Sequence, residues 1–313
     1  MLLSIVLLLV GLGLVVYGSD ILVDGASSVA RKIGISEFVI GIIIVGFGTS
    51  CPELVVSVTG AIDGNSAVSL GNVTGSNIFN ILMILGLTAI FSPIAITKDN
   101  KTKDIPILLC ITIFFCLIAL KGTINRLDAV LFLAIFAIYL LYNFKAGKAE
   151  AAAIEEEVVE KNYGTFLSIL MIVGGLAGLI FGGKLFVNNA VTLAHALGAS
   201  DKFIAVTILA VGTSLPELMT CVVAAAKKKG QLALGNIVGS NVFNILLILG
   251  ISGLIHPLDT HSFNYVDMVT LTASVLALFI FANASKKSQL SKTAGISFLL
   301  MEVVYMIYLF LKF

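Results

Sequence analysis

Two glutamates lie inside long apolar stretches of the protein, where a carboxylate is costly to keep. Glu53 and Glu217 each directly follow a proline, in the strings GTSCPE and GTSLPE. An ionisable side group at membrane depth usually faces a partner or an aqueous path. No Lys or Arg lies at a comparable depth in the sequence to act as that partner. A bound cation is therefore the simplest counter-charge, and the two glutamates predict an ion site.

Further oxygen atoms accompany both glutamates. Pro52 and Pro216 each remove a helical hydrogen bond, so we predict broken helices whose carbonyls near 46–50 and 210–214 turn toward the site. Hydroxyl and amide groups recur at helical spacing, at Thr49, Ser50, Ser76 and Asn80 and again at Thr213, Ser214, Ser240 and Asn244. A set made only of oxygen atoms suits hard cations such as Ca²⁺ and Na⁺.

A structural role is the competing interpretation for several polar residues. A single buried Ser or Thr commonly bonds back to its own helix. We expect the remaining motif asparagines to cap or cross-link helices: Asn72, Asn77, Asn236 and Asn241. Glu302 lies in the last apolar stretch without a strict repeat counterpart, and we expect a peripheral structural role for it. The paired glutamates beside prolines fit a structural role least well.

The composition identifies the solvent around these residues. The protein has 313 residues, of which 58% are hydrophobic and 12% charged, and its mean hydropathy is +1.09. Soluble domains carry about 25% charged residues. A compact globule could not bury this much apolar surface, so the protein is expected in a lipid bilayer. A soluble enzyme and a disordered regulator are excluded, and a net charge of +1 gives no basic surface for nucleic acid.

Ten apolar runs are long enough and uniform enough to be membrane-spanning helices. They lie at about 1–18, 37–62, 67–92, 105–120, 127–143, 164–182, 203–225, 231–255, 266–283 and 294–312. We therefore predict an all-α integral membrane protein with ten transmembrane helices, the second and seventh broken at the ion site.

The two halves of the sequence are repeats of one unit. The segment LGNVTGSNIFNILMILG (70–86) aligns with LGNIVGSNVFNILLILG (234–250). Corresponding positions of the two halves are 164 residues apart, from residue 17 to about 94. Each unit has five predicted spans, an odd number, so the second unit must be inverted. The predicted units are 1–144 and 164–313, joined by a short cytoplasmic linker at 145–163. Inverted repeats with broken helices are typical of secondary transporters.

The distribution of basic residues predicts the orientation. An extracellular amino terminus places fourteen of the nineteen Lys and Arg residues on the cytoplasmic side. Both termini are then extracellular, and the segment 145–163 is cytoplasmic.

The motif pairs GTSCPE with GNVTGSNIFN and GTSLPE with GNIVGSNVFN resemble the two repeats of the cation/Ca²⁺ exchanger superfamily. Along nearly its whole length the sequence is similar to prokaryotic Na⁺/Ca²⁺ exchangers. The resemblance implies that Glu53 and Glu217 bind Ca²⁺ with the carbonyls of Thr49 and Thr213. It implies flanking Na⁺ sites built from the Thr hydroxyls, the carbonyls of Gly46 and Ala210, and the side chains of Ser50, Ser76, Ser214 and Ser240. Asn80 and Asn244 would complete the middle site.

The resemblance also implies a mechanism and a subtype. Spans one and six would slide as a gating pair across the other eight, in the plasma membrane of a prokaryote. Some archaeal and K⁺-dependent members have Asp at the position of Asn244, so this sequence looks like the K⁺-independent type. The H⁺-coupled branch carries a GNxxE pattern, whereas here GN is followed by Val-Thr-Gly and by Ile-Val-Gly.

The functional hypothesis is an antiporter that extrudes Ca²⁺, most simply with three Na⁺ for one Ca²⁺, and that needs neither a cofactor nor an obligatory protein partner. A Ca²⁺/H⁺ antiporter on the same fold is the alternative. An intramembrane hydrolase with Ser50 or Ser214 as nucleophile lacks a mid-span His or Lys base and a GxSxG motif. A cation channel fits the two-unit pocket less well than a carrier does.

Overall fold

The computed structural model of the protein describes residues 1–153, 163–197, 210–261, 263–285 and 287–312. Almost all of them are helical. The helices are α1 (Leu2–Ile33), α2 (Glu37–Thr49), α3 (Cys51–Ile62), α4 (Ser66–Phe91), α5 (Asn100–Ala119), α6 (Arg126–Ala153), α7 (Thr165–Ala196), α8 (Ala210–Thr213), α9 (Leu215–Ala226), α10 (Gly230–Ile255), α11 (Tyr265–Ala284) and α12 (Lys292–Lys312).

Four two-residue strands join loops from the two halves of the protein. Strand β1 (Ile94–Ala95) pairs antiparallel with β4 (Gln289–Leu290). Strand β2 (Thr123–Ile124) pairs in the same way with β3 (Leu258–Asp259). Each pair therefore ties a loop of the first repeat to a loop of the second.

The helices confirm an all-helical integral membrane protein. Eight described helices are long and apolar enough to cross a membrane, and the count is nine when the pair α2 and α3, bent by 50°, is taken as one span. The tenth predicted span, at about 203–225, falls partly on 198–209, outside the described residues, and its described part contains the short apolar helix α9. The count of ten and the inversion of the repeats stay predictions.

Helices α1 and α7 are longer than their apolar runs. The predicted spans end near 18 and 182, whereas the helices continue to Ile33 and Ala196. Hydropathy misses the second half of α1 because it contains acidic and small residues, including Asp20 and Asp24. Lys227 pairs with both of these carboxylates, at 2.8 and 2.7 Å, so the helix can continue past them.

Helices α1 and α7 pack closely along their length. A methyl group on Gly18 would lie 2.9 Å from the carbonyl oxygen of Gly175, and one on Gly175 would lie 2.7 Å from the carbonyl oxygen of Gly18. Small residues allow this approach of two backbones in a membrane. These two helices contain the predicted spans one and six, which are expected to move together, and they form one closely packed unit.

Helices α4 and α10 are the most buried of the spans and form the centre of the molecule. Each contains a π-helical turn, at Asn80–Leu85 and at Phe243–Ile248, and further π-helical turns lie in α2 at Gly41–Gly46 and at the start of α5 at Asn100–Asp104. Such turns are rare and often occur at functional sites. The predicted linker begins as helix, because α6 continues to Ala153, and 154–162 lie outside the described residues.

Candidate ion site

Each glutamate of the predicted site lies in the first turn of a helix that follows a break. Ser50 separates α2 from α3 and Ser214 separates α8 from α9, with non-helical φ, ψ of −82°, 6° and −88°, 7°. The prolines lie in the first turns of α3 and α9, where a missing N–H is tolerated. Glu53 and Glu217, each 1% exposed, therefore lie at the positive ends of helix dipoles, which favour a carboxylate.

The two halves of the protein exchange hydrogen bonds at the glutamates. The Ser50 hydroxyl donates to Oε1 of Glu217 at 3.1 Å, and the Ser214 hydroxyl donates to Oε1 of Glu53 at 3.4 Å. Thr213 also lies within reach of the Glu53 carboxylate. The two carboxylates are close enough to repel each other electrostatically. A cation between them would relieve that repulsion.

The carbonyl oxygen of Gly46 is a second position at which residues of the two repeats form hydrogen bonds. It accepts from the Ser50 N–H at 3.1 Å, from the Thr49 hydroxyl at 3.4 Å and from the Ser240 hydroxyl at 3.3 Å. The contact with Ser240 depends on close packing of α2 on α10, where a methyl group on Gly239 would lie 2.7 Å from a backbone atom of α2. The structure therefore brings together three predicted ligands from the two repeats: the Gly46 carbonyl and the hydroxyls of Thr49 and Ser240.

Four buried oxygen atoms at these residues have no hydrogen-bond partner among the described parts of the protein. They are Oε2 of Glu53, Oε2 of Glu217, Oδ1 of Asn80 and Oδ1 of Asn244. A buried hydrogen-bond acceptor without a partner is unfavourable. Carboxylate and amide oxygen atoms of this kind coordinate hard cations, so a bound cation would satisfy them. Within the described ranges no three His, Cys, Asp or Glu residues cluster as metal ligands. The donor set consists of two carboxylates and neutral oxygen atoms.

The remaining predicted ligands are less fully placed. Ser76 is buried on α4, one helical turn before Asn80. Ala210 begins α8, and only its backbone is described. Glu302 is 2% exposed, and its Oε2 has no hydrogen-bond partner within the described ranges. Glu302 is therefore buried, and the expected peripheral structural role for it stays a prediction.

Two asparagines support the site more closely than the sequence indicated. Asn72 donates to the backbone carbonyl of Glu53 at 3.0 Å and so joins α4 to α3. Asn236 accepts from the Thr49 hydroxyl at 3.2 Å and donates to the thiol of Cys221 at 3.3 Å. Both cross-link helices, as expected. The sequence signal that could have indicated their supporting role is their occurrence directly after Gly in both repeat motifs.

Broken helices that bring two carboxylates and neutral oxygen atoms together inside a bundle of spans define a membrane transporter of small cations. The family described as sodium/calcium exchanger protein matches the sequence over residues 3–145 and 167–312. The protein belongs to that family, within the cation/Ca²⁺ exchanger superfamily. It is a transporter and not an enzyme.

Known proteins and solved structures match the sequence over most or nearly all of its length. It is 33% identical to sodium/calcium exchanger MaX1 of Methanosarcina acetivorans, over 98% of each sequence. It is 34% identical to inner membrane protein YrbG of Escherichia coli, over 88% of each sequence. The sodium-calcium exchanger NCX_Mj, in a structure soaked with Na⁺ and Ca²⁺, is 36% identical and matches with a TM-score of 0.86 over 98% of each protein.

Proposed function

We propose that the protein exchanges Na⁺ for Ca²⁺ across the membrane by alternating access, with three Na⁺ for each Ca²⁺, and that it extrudes Ca²⁺. The observation that carries this proposal is the crossed pair of Ser–Glu hydrogen bonds, with one unpartnered oxygen left on each carboxylate among the described residues. The names of MaX1 and NCX_Mj support Na⁺ and Ca²⁺ as the two ions.

Competition at the glutamates provides the coupling. Ca²⁺ and a set of Na⁺ ions cannot occupy Glu53 and Glu217 together, so either load displaces the other. The site charge of −2 becomes 0 with one Ca²⁺ and +1 with three Na⁺. Exchange would therefore respond to membrane potential, by about 2.3 kcal/mol for each charge and each 100 mV. Asn244 is a neutral ligand, which supports the K⁺-independent subtype.

The gating element of this proposal is the pair α1 and α7, sliding across the other helices. Their close mutual packing supports movement as a unit. The charge distribution supports an orientation in a prokaryotic plasma membrane with both termini outside and 145–163 inside. Moving such a pair would expose the buried carboxylates first to one side and then to the other.

The deciding experiment is ⁴⁵Ca²⁺ uptake into proteoliposomes with the membrane potential clamped. An outward gradient of Na⁺, of K⁺ or of H⁺ is imposed separately, and Glu53→Gln is measured beside the wild type. We expect uptake with the Na⁺ gradient only, and none for the variant.

Other outcomes would each reject a stated part of the proposal. Uptake driven by H⁺ and indifferent to Na⁺ would replace Na⁺ by H⁺ as the coupling ion, as in the Ca²⁺/H⁺ alternative. Full Ca²⁺ uptake by Glu53→Gln would reject that residue as a ligand. Single-channel currents would reject the carrier mechanism. A dependence of initial rate on clamped potential tests electrogenicity separately.

A further inference from the structure

Four asparagines join α4 and α10 in a crossed network of hydrogen bonds. The Nδ2 amide of Asn77 donates to the backbone carbonyl of Asn241 at 3.1 Å, and that of Asn241 donates to the backbone carbonyl of Asn77 at 3.3 Å. These two residues occupy the same position in the two repeats, 164 apart. Both are fully buried.

The same two residues accept the amides of the two asparagine ligands. Asn244 donates from Nδ2 to Oδ1 of Asn77 at 2.9 Å. Asn80 donates from Nδ2 to Oδ1 of Asn241 at 3.0 Å. Asn77 therefore holds Asn244, and Asn241 holds Asn80, so each predicted ligand asparagine is held by a residue of the opposite repeat.

The direction of every amide in this network follows from one fact, which is that a backbone carbonyl can only accept a hydrogen bond. Asn77 must turn its NH₂ group toward the carbonyl of Asn241, so its oxygen faces Asn244. Asn244 must then present its own NH₂ group to that oxygen. Its remaining atom, Oδ1, is left as a free acceptor. The orientation thus rests on hydrogen-bond logic and not on the assignment of oxygen and nitrogen alone.

The oxygen atoms left over lie beside the helices that carry the glutamates. Helix α9 packs on the turn Asn80–Leu85, and α3 packs on the turn Phe243–Ile248. Oδ1 of Asn80 and Oδ1 of Asn244 are buried and have no hydrogen-bond partner among the described residues. They are positioned to complete an oxygen set with the carboxylates.

We propose that Asn77 and Asn241 are positioning residues that fix the amide orientation of Asn244 and Asn80, so that oxygen atoms and not NH₂ groups face the transported cation. An NH₂ group turned toward the site would set a positive dipole end against the cation. The proposal rests on the proposed function for the ligand role of Asn80 and Asn244. It does not depend on the stoichiometry or on the coupling ion.

The crossed arrangement predicts a specific pattern of coupling between substitutions. In equilibrium ⁴⁵Ca²⁺ binding to the purified full-length protein, Asn77→Ala and Asn241→Ala are each expected to weaken Ca²⁺ binding about tenfold. When Asn244→Ala is already present, Asn77→Ala should cause little further loss of Ca²⁺ affinity. When Asn80→Ala is present instead, Asn77→Ala should cause its full loss of Ca²⁺ affinity. Equal additivity in both combinations would overturn the proposal.

Asn143 provides the matched control for loss of a buried asparagine. It is 1% exposed, and its amide donates at 2.9 Å to the carbonyl of Tyr139, in its own helix α6. We expect Asn143→Ala to lower the melting temperature of the ion-free protein without changing the Kd for Ca²⁺. An equal loss of Ca²⁺ affinity in Asn143→Ala would mean general destabilisation, and the positioning role would be rejected.

A second measurement starts from the wild-type protein, and its main outcome there does not depend on the folding of the alanine variants. In protein labelled with ¹³C-asparagine, Ca²⁺ is expected to shift the stretching band of an asparagine amide carbonyl in the infrared difference spectrum. The shift should shrink in Asn244→Ala, whose substitution removes one of the two carbonyls. No band shift in a wild type that transports Ca²⁺ would overturn the positioning role alone. A wild type that does not transport Ca²⁺ would instead reject the proposed function.

Discussion

The hydroxyl of Ser50 donates a hydrogen bond of 3.1 Å to Oε1 of Glu217, 167 residues further along the sequence. Ser50 is itself the residue at which α2 breaks from α3. One residue thus ends a helix in the first repeat and holds the carboxylate of the second. Because Ser214 does the same for Glu53, neither repeat can form its half of the site alone.

Neutralising either glutamate should strongly weaken Ca²⁺ binding. Glu53→Gln or Glu217→Gln keeps the shape of the residue but removes half of the site charge. Losing one charge of a buried, compensated set commonly costs about 3–5 kcal/mol, so we expect Ca²⁺ affinity to fall by about a hundredfold or more. Equilibrium ⁴⁵Ca²⁺ binding measures this.

Glu302→Gln is the matched control for that prediction. Glu302 is buried like the site glutamates but lies on α12, a different helix from those that carry Glu53 and Glu217. The same substitution there should leave Ca²⁺ affinity within about twofold of the wild type. A loss comparable to that of Glu53→Gln would contradict the assignment of the site.

Bound Ca²⁺ should stabilise the folded protein, and chelation should reverse the effect. A ligand at about one hundred times its Kd adds about 2.7 kcal/mol to the free energy of unfolding. We expect the melting temperature of the wild type to rise with Ca²⁺ concentration and to return after a chelator is added. Glu217→Gln should melt at a temperature that does not respond to Ca²⁺ over the same range. A response equal to that of the wild type would argue against a ligand role for Glu217.

The close packing of α1 on α7 can be tested at one glycine. Gly18→Ala places a methyl group 2.9 Å from the Gly175 carbonyl oxygen, so the two helices must separate. Overpacking of this kind costs about 1–3 kcal/mol. We expect a lower melting temperature and slower Na⁺-driven ⁴⁵Ca²⁺ uptake.

Gly13→Ala, on the same helix, is the control for Gly18→Ala. Gly13 is exposed, and a methyl group placed there would have no described atom within 4 Å apart from the neighbouring backbone of its own helix. This variant should behave like the wild type in both assays. Equal effects of the two substitutions would show that helix composition matters and that the contact with α7 does not.

Lys227 links the end of α9 to α1 through Asp20 and Asp24. Burial disfavours the ammonium form of Lys227, but hydrogen bonds to the two aspartates outweigh this effect and raise the pKa of Lys227. The stabilisation it provides is therefore complete below its unfolded pKa of about 10.4 and is lost only as pH rises through the raised folded value. Because the partners are partly exposed, Lys227→Met should lower the melting temperature by about 2 °C, equally at pH 7 and pH 9.

Lys228→Met provides the comparison for the neighbouring charge. Lys228 is exposed and forms no ion pair with a described residue. We expect no change in melting temperature at either pH. If Lys227→Met were indistinguishable from Lys228→Met, the contact between α9 and α1 would not contribute to stability.

The sequence by itself determined the membrane environment, the two repeats and the helix breaks beside Pro52 and Pro216. Composition reports the solvent, an equal offset of motifs reports duplication, and proline removes a backbone donor wherever it lies. It also identified the carboxylates, since an unpaired charge in an apolar stretch is visible without coordinates. The ends of α1 were not predictable in this way, because Asp20 and Asp24 interrupt the apolar run but are paired across space by Lys227.

Only the tertiary structure decided which atoms face each other. Ser50 could have bonded to its own helix, as isolated serines commonly do, and the structure directs it to Glu217 in the other repeat. Asn77 was expected only to cross-link helices, yet its partner atoms set the direction of the Asn244 amide. Such contacts join residues more than 160 positions apart, as their separations of 164 and 167 show. Local spacing in a sequence carries no information about which atom of an amide or carboxylate meets its partner.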